Sequence, residues 1–109
     1  VKARAGQRLT VLLSPRDRAG HGGLEVELLR RARRAGLAGA TVFRCEEGFG
    51  GSQRIHRARL LSEDRPLEVV LVDDAERIDA FLESVRALLT GVSTTLEEVE
   101  IVDLGLPRQ

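Results

Sequence analysis

Lysine occurs once in this chain, at Lys2, cysteine once, at Cys45, and tyrosine not at all. A single cysteine cannot close an internal disulfide, so the chain is not a disulfide-stapled secreted scaffold. Only Phe43, Phe49 and Phe81 are aromatic. Sheets that bind single-stranded RNA stack bases on strand aromatics, and three phenylalanines are too few for that design. Charge of neither sign is in excess, with 17 basic and 17 acidic residues. A domain built for duplex nucleic acid carries a basic surplus, so no nucleic acid is expected as partner. The only histidines are His21 and His56, and no close-set pair of ligands has zinc spacing. No metal and no cofactor are called for. No apolar run reaches the length of a membrane span and no signal peptide opens the chain, so a cytoplasmic protein that does not itself span a membrane is expected. The chain does not open on Met, which suggests processing or a cut at that end.

What is present is globular. Hydrophobic residues make up 42% and charged residues 31% of 109 residues. That length is enough for one domain and not for two, with residues 1–7 and 105–109 expected as flexible ends. Arg8 to Ser14, "RLTVLLS", reads as a first strand that Pro15 ends. "PRDRAGHGG" is turn-rich. Leu24, Leu28, Ala32 and Ala35 repeat at helical spacing, with Glu27 in reach of Arg30 and Arg31, and Gly36 suits the left-handed helix end. Ala40 to Cys45 is a second strand, and Ile55 to Leu61 has extended character. Leu67 to Val72, "LEVVLV", is the strongest strand signal. Asp73 with Glu76 fits a capping box. Ile78, Phe81, Leu82, Val85, Leu88 and Leu89 then form an apolar helical stripe, closed by Gly91. "VSTTLEE" reads as a loop or short turn and Val99 to Leu104 as the last strand. Strand, helix, strand, strand, helix, strand predicts an α+β chain. Its fold is the ferredoxin-like βαββαβ sandwich, a four-stranded antiparallel sheet with both helices on one face.

Two helices cover only one face of such a sheet, and its strands should then alternate. Thr10 to Leu13 and Val69 to Val72 barely do. The second face is therefore expected to meet another subunit, and a closed ring is the usual way to bury it.

The stretch "GLAGATVFRCEEGFGGSQRIHRARLLSEDRPLEVVLVDDAERI" resembles the PII-like proteins of bacteria and archaea. It is most similar to an uncharacterised branch of the PII/CutA-like superfamily, catalogued as a domain of unknown function. The motifs stand at Gly36 to Val42, Gly48 to Gly50, Arg54 to His56 and Leu61 to Pro66, and "TLEEVEIV" resembles the family's last strand. The likeness runs from about Leu9 to Val102. It implies a non-enzymatic signalling homotrimer that binds a small ligand, an adenine nucleotide or similar anion, in clefts between subunits. It further implies a relay to a target protein, such as a transporter, through the loop between the second and third long strands. The chain departs from PII proper: the tyrosine often modified there is missing, the loop is shorter, and "GVSTTLEE" offers no match for the lysine and arginine phosphate ligands. These departures count against PII-type ATP binding and 2-oxoglutarate sensing. They leave another adenine nucleotide or a different small anion open. The related CutA proteins are linked to divalent metals, so a metal-handling protein or small enzyme using the same clefts is the alternative.

The relay position is occupied by "EEGFGGSQRIHRARL", Glu46 to Leu60. Gly48, Gly50 and Gly51 can turn backbone N–H groups toward an anion, Ser52 can add a hydroxyl, Arg54 a forked cation and His56 a further donor. The other reading is a wide hairpin turn with Phe49 packed beneath it. The lysine and following helix of a P-loop are missing. "RDRAGHGG" is a second anion candidate because its glycines precede a helix start, with Arg16, Arg18 and His21 as contacts; a plain connection is the alternative. The cluster Arg30, Arg31, Arg33 and Arg34 reads as a solvated helix end rather than a phosphate patch. No nucleophile–base pair stands out. Glu46 and Glu47 are neighbours, and neighbours on a strand point to opposite faces. Cys45 reads as a small buried residue.

Overall fold

A computed structural model describes residues 1–46 and 65–105. The elements in chain order are β1 (Lys2–Leu13), β2 (Arg18–Ala19), β3 (Gly22–Gly23), α1 (Leu24–Arg34), β4 (Ala40–Arg44), β5 (Leu67–Asp74), α2 (Ala75–Val85) and β6 (Ser93–Asp103). A 3₁₀ turn at Arg86–Leu89 follows α2. β2 and β3 form only a two-residue hairpin. The four long strands make one antiparallel sheet in the order β4-β5-β1-β6. With the small hairpin set aside, the order and pairing are those of the ferredoxin-like fold.

Register decides which side chains share a face. Leu9, Val11 and Leu13 of β1 stand opposite Leu71, Val69 and Leu67 of β5, and all six are buried. Leu24, Leu28 and Ala32 of α1 and Ile78, Phe81 and Val85 of α2 close over them. This is one core between a sheet face and two helical stripes. The alternate residues Thr10, Leu12 and Val70 are half-buried and Val72 is exposed, so the open face does carry apolar side chains. Two ion pairs share that face, Arg8 with Glu97 at 2.8 Å and Arg4 with Asp74. At Gly6 a side chain would meet both the backbone of β5 and a side chain of β6. A Cβ on Gly6 would run into Ile101 Cδ1 and lie 2.9 Å from the Asp73 carbonyl oxygen.

α1 ends as its sequence predicts. Gly36 takes φ +76, Leu37 N–H donates to the Ala32 carbonyl at 3.1 Å, and Gly36 N–H donates to the Arg33 carbonyl at 3.1 Å. These two bonds are the paired closure of a left-handed helix end. Glu27 receives Arg30 at 2.8 Å and Arg31 at 2.9 Å.

Three boundaries differ from expectation. β1 begins at Lys2, not Arg8, so Lys2–Gln7 of the expected flexible end are strand. Their sequence lacks an apolar run, and pairing with β6 from Lys2↔Asp103 onward supplies the order. β6 begins at Ser93, not Val99. "STTLEE" is polar, but it lies at the sheet edge and takes its conformation from Leu12↔Ser93 through Gln7↔Glu98. The capping box does not form. The N-cap of α2 is Asp74 and makes no side-chain cap bond. Asp73 is engaged elsewhere: its buried carboxylate accepts Ala38 N–H at 2.8 Å and Asp74 N–H at 2.7 Å.

That carboxylate joins two connections. Arg77 lies 3.6 Å from Asp73 and donates to the Gly36 carbonyl at 2.6 Å, so the Gly36–Ala38 turn is tied to the start of α2. Burial pushes the Asp73 carboxyl up, but the N–H groups of Ala38 and Asp74 and the Arg77 cation outweigh it and hold it below its ordinary value. A depressed carboxyl stabilises the fold above its unfolded value, about 3.9, and that contribution disappears as pH falls through the lower folded value. Asp73→Ala is predicted to destabilise the protein by roughly 1–3 kcal/mol, because Ala38 N–H loses its acceptor. Urea unfolding at neutral pH measures that loss. Repeated down to about pH 3, it should show the gap between wild type and variant narrowing; a constant gap would mean that the carboxylate charge is irrelevant.

Candidate ligand site at one end of the sheet

The strand registers gather three connections at one end of the sheet. Leu13, the last residue of β1, pairs with Leu67, the first of β5, and Leu67 pairs with Arg44, the last of β4. Leu12 pairs with Ser93, the first residue of β6. The stretch after β1, the stretch between β4 and β5, and the turn before β6 therefore leave the sheet side by side. The second anion candidate follows β1 at this end, and Gly91 and Val92 precede β6 there.

The stretch after β1 is built around Asp17. Its carboxylate accepts Ser14 N–H at 2.8 Å, its own N–H donates to the Ser14 carbonyl at 3.0 Å, and its carbonyl accepts Leu24 N–H at 2.9 Å. The buried Ser14 hydroxyl accepts Arg16 N–H at 3.1 Å. Asp17 thus fixes both the exit from β1 and the entry to α1. The Ser14–Asp17 spacing is the sequence signal for this clamp, since short polar side chains three residues apart close turns on their own backbone. α1 starts at Gly23 with no side-chain cap. The space there is filled by Glu25, whose Oε1 would lie 2.5 Å from a Cβ on Gly23. The carboxylate stands beside this helix start, where negative charge is favoured, but its buried Oε1 makes no hydrogen bond there. An anion at the second candidate would meet this carboxylate beside Gly23. Its Arg18 and His21 are exposed on the β2–β3 hairpin.

The first candidate has a described base. Cys45 N–H donates to the Pro66 carbonyl at 2.8 Å, one step beyond the last β4–β5 pair. Gly48, Gly50, Gly51, Ser52, Arg54 and His56 all lie outside the described residues, as does the extended stretch expected at Ile55 to Leu61. At the base, Phe43 is exposed and faces the same side as Glu68 across the ladder. Cys45 is half-buried. Burial pushes its thiol up, and the nearby Glu68 carboxylate adds to the shift. Among the described residues no three His, Cys, Asp or Glu side chains gather to hold a metal ion. No helix among them is long and apolar enough to cross a membrane.

With this geometry in view, similarity to known proteins becomes informative. Residues 6–101 match the model of a family described as DUF190, Uncharacterized ACR. A UPF0166 protein of Aquifex aeolicus (strain VF5) is 40% identical over 79 residues, which cover 71% of this chain and 74% of that protein. The chain belongs to the DUF190 family. Solved structures extend the likeness at the level of the fold. CPII of Thiomonas intermedia K12, a nitrogen regulatory PII-like protein bound to ADP, AMP and bicarbonate, superposes with a TM-score of 0.71 at 15% identity, covering 92% of this chain and 91% of CPII. A Thermus thermophilus protein described as PII-like and signalling gives 0.66 at 18% identity, covering 94% of each chain. This DUF190 chain thus shares its fold with these PII-like structures.

The raised Cys45 thiol makes a direct expectation. A thiol reacts as its thiolate, so alkylation of native protein near pH 8 should be slower than that of the unfolded chain. The inflection of rate against pH should lie above the free-cysteine value of about 8.5. Glu68→Gln should move it down toward that value. Iodoacetamide labelling followed by mass measurement tests this, and an inflection below that of the unfolded chain would contradict the described environment.

Proposed function

We propose that this protein is a non-enzymatic, PII-like regulatory subunit. It forms a homotrimer and binds an adenine nucleotide or similar small anion in clefts between subunits. The stretch between β4 and β5 relays occupancy to a target protein such as a transporter. The observation that carries this reading is the shared fold with CPII, which has been solved with ADP and AMP bound. Two features of this chain support it. The connections that would contribute ligand groups leave the same end of the sheet. The open face also presents Leu12, Val70 and Val72, apolar side chains that a neighbouring subunit would cover.

The ligand groups we assign are Gly48, Gly50, Gly51, Ser52, Arg54 and His56. In this reading the glycine N–H groups and the Ser52 hydroxyl surround phosphate oxygens, and the Arg54 guanidinium grips two of them at once. The adenine part would be recognised by the neighbouring subunit or by His56.

A thermal-shift series with ADP, AMP, ATP, cyclic AMP and inorganic phosphate tests the proposal. A ligand at a hundredfold excess over its dissociation constant adds about 2.7 kcal/mol to the folded state. For a domain of this size that is a rise on the order of 10 °C in Tm. Arg54→Ala is expected to abolish the rise and to leave the Tm of the empty protein unchanged. No rise with any of these compounds would leave the glycines as turn-formers only. A drop in the Tm of empty Arg54→Ala protein would make Arg54 structural and overturn the site.

A further inference from the structure

We propose that Arg65 is an oxyanion-binding residue, whose guanidinium donates to a phosphate or similar group arriving at the end of the sheet where β5 begins. This rests on the anion reading proposed above and adds to it a residue outside the glycine stretch. Arg65 stands just before β5, whose first residue, Leu67, pairs with Leu13 on one side and Arg44 on the other. Pro66 and Leu67, the next two residues, are buried.

The side chain lacks what its position demands. Arg65 is half-buried, and its Nε is closed to solvent with no hydrogen-bond acceptor. Among the described residues no carboxylate lies within ion-pair distance of it. By contrast Arg31, the other half-buried arginine among the described residues, is held by Glu27 at 2.9 Å. A guanidinium cannot shed its charge, so Arg65 cannot become neutral to suit its surroundings. A shielded N–H with no acceptor costs the fold free energy, and an oxyanion from outside supplies the missing acceptor.

The neighbouring charges fit an anion. Cys45 N–H donates to the Pro66 carbonyl, so the β4–β5 ladder runs one step past Arg44↔Leu67 and sets Glu46 opposite Arg65. Arg44 and Arg65 are then diagonal neighbours on one side of the ladder, a spacing of about 7–8 Å that long side chains bridge. Arg44 is exposed and has no ion-pair partner among the described residues. Glu46 is exposed too and forms no ion pair with Arg65. The other carboxylates at this end are placed elsewhere: Asp17 accepts Ser14 N–H, Glu25 stands beside Gly23, and Glu68 lies on the open face. Two forked cations on adjacent strands match the several oxygens of a phosphate group.

Calorimetric titration of the full chain with ADP and with inorganic phosphate, together with the Tm of the empty protein, tests this role. Arg65→Leu and Arg65→Gln should each raise the dissociation constant of the compound that wild type binds by about tenfold or more. Neither should lower the Tm of the empty protein, and Arg65→Leu should raise it, because an unmatched charge beside buried residues is removed. Arg65→Gln serves where the apolar residue disturbs folding. Glu46→Gln should tighten binding, since it removes the carboxylate opposite Arg65. If wild type binds neither compound, the anion reading and the role of Arg65 fall together. If wild type binds, Arg54→Ala abolishes binding and both Arg65 variants retain it, the function proposed above stands and the role of Arg65 is overturned. A lower Tm of the empty protein in both Arg65→Gln and Glu46→Gln would show the two side chains paired with each other, which also overturns it.

Discussion

β1 lies between two partners, and its registers set the position of every other part of the chain. It pairs with β5 from Gly6↔Asp74 to Leu13↔Leu67 and with β6 from Lys2↔Asp103 to Leu12↔Ser93. A shift of one residue would turn Leu9, Val11 and Leu13 away from the helices and expose the whole core set. The same constraint brings three connections to one end of the sheet. The helices hold the stop of β1 in place by burying Leu13.

Sequence reasoning succeeded where local pattern and burial agree. "LEVVLV" could be read as a strand because a central strand must be apolar on its core side, and here the open side is apolar too. The stripe from Ile78 to Leu89 could be read as a helix even though its last turn tightens to 3₁₀, since the apolar spacing outlasts the change. It failed where long-range pairing outweighs local preference. Thr94 to Glu98 has turn-like composition and becomes strand only because β1 lies beside it. Asp73 looked like a cap because nothing in the local sequence announces Ala38 as a partner 35 residues away. For the site, the glycine motif was conspicuous as composition, yet the Asp17 clamp and Glu25 leaning on Gly23 were hidden. Both depend on backbone geometry that no residue type specifies alone.

A net charge of zero conceals a strong segregation. Arg30, Arg31, Arg33 and Arg34 crowd the end of α1, and Glu97, Glu98 and Glu100 crowd β6. The sheet order puts α1 near the β4 edge and β6 at the opposite edge. Among the described residues, like charges therefore gather near opposite edges of the sheet. Arginine at a helix C-terminus is locally favourable, and Glu27 neutralises Arg30 and Arg31 within the helix. Arg33 has no such partner among the described residues.

The open face presents a different electrostatic problem with an internal solution. Arg8 and Arg4 stand among Thr10, Leu12, Val70 and Val72, and an unpaired guanidinium there would oppose any covering surface. Each is already matched within the chain, Arg8 by Glu97 of β6 and Arg4 by Asp74 of β5. Both pairs are half-exposed in the single chain, where water screens them and they contribute little to stability. Their effect appears when the face is covered. A buried ion pair must have its partner in place, because a lone buried charge is far more costly than a matched one. Each arginine is paired across the ladder with a neighbouring strand, whereas Glu68, on the same face, has no ion-pair partner among the described residues. A subunit covering this face, as in the assembly we propose, would meet two matched arginines and one unmatched carboxylate.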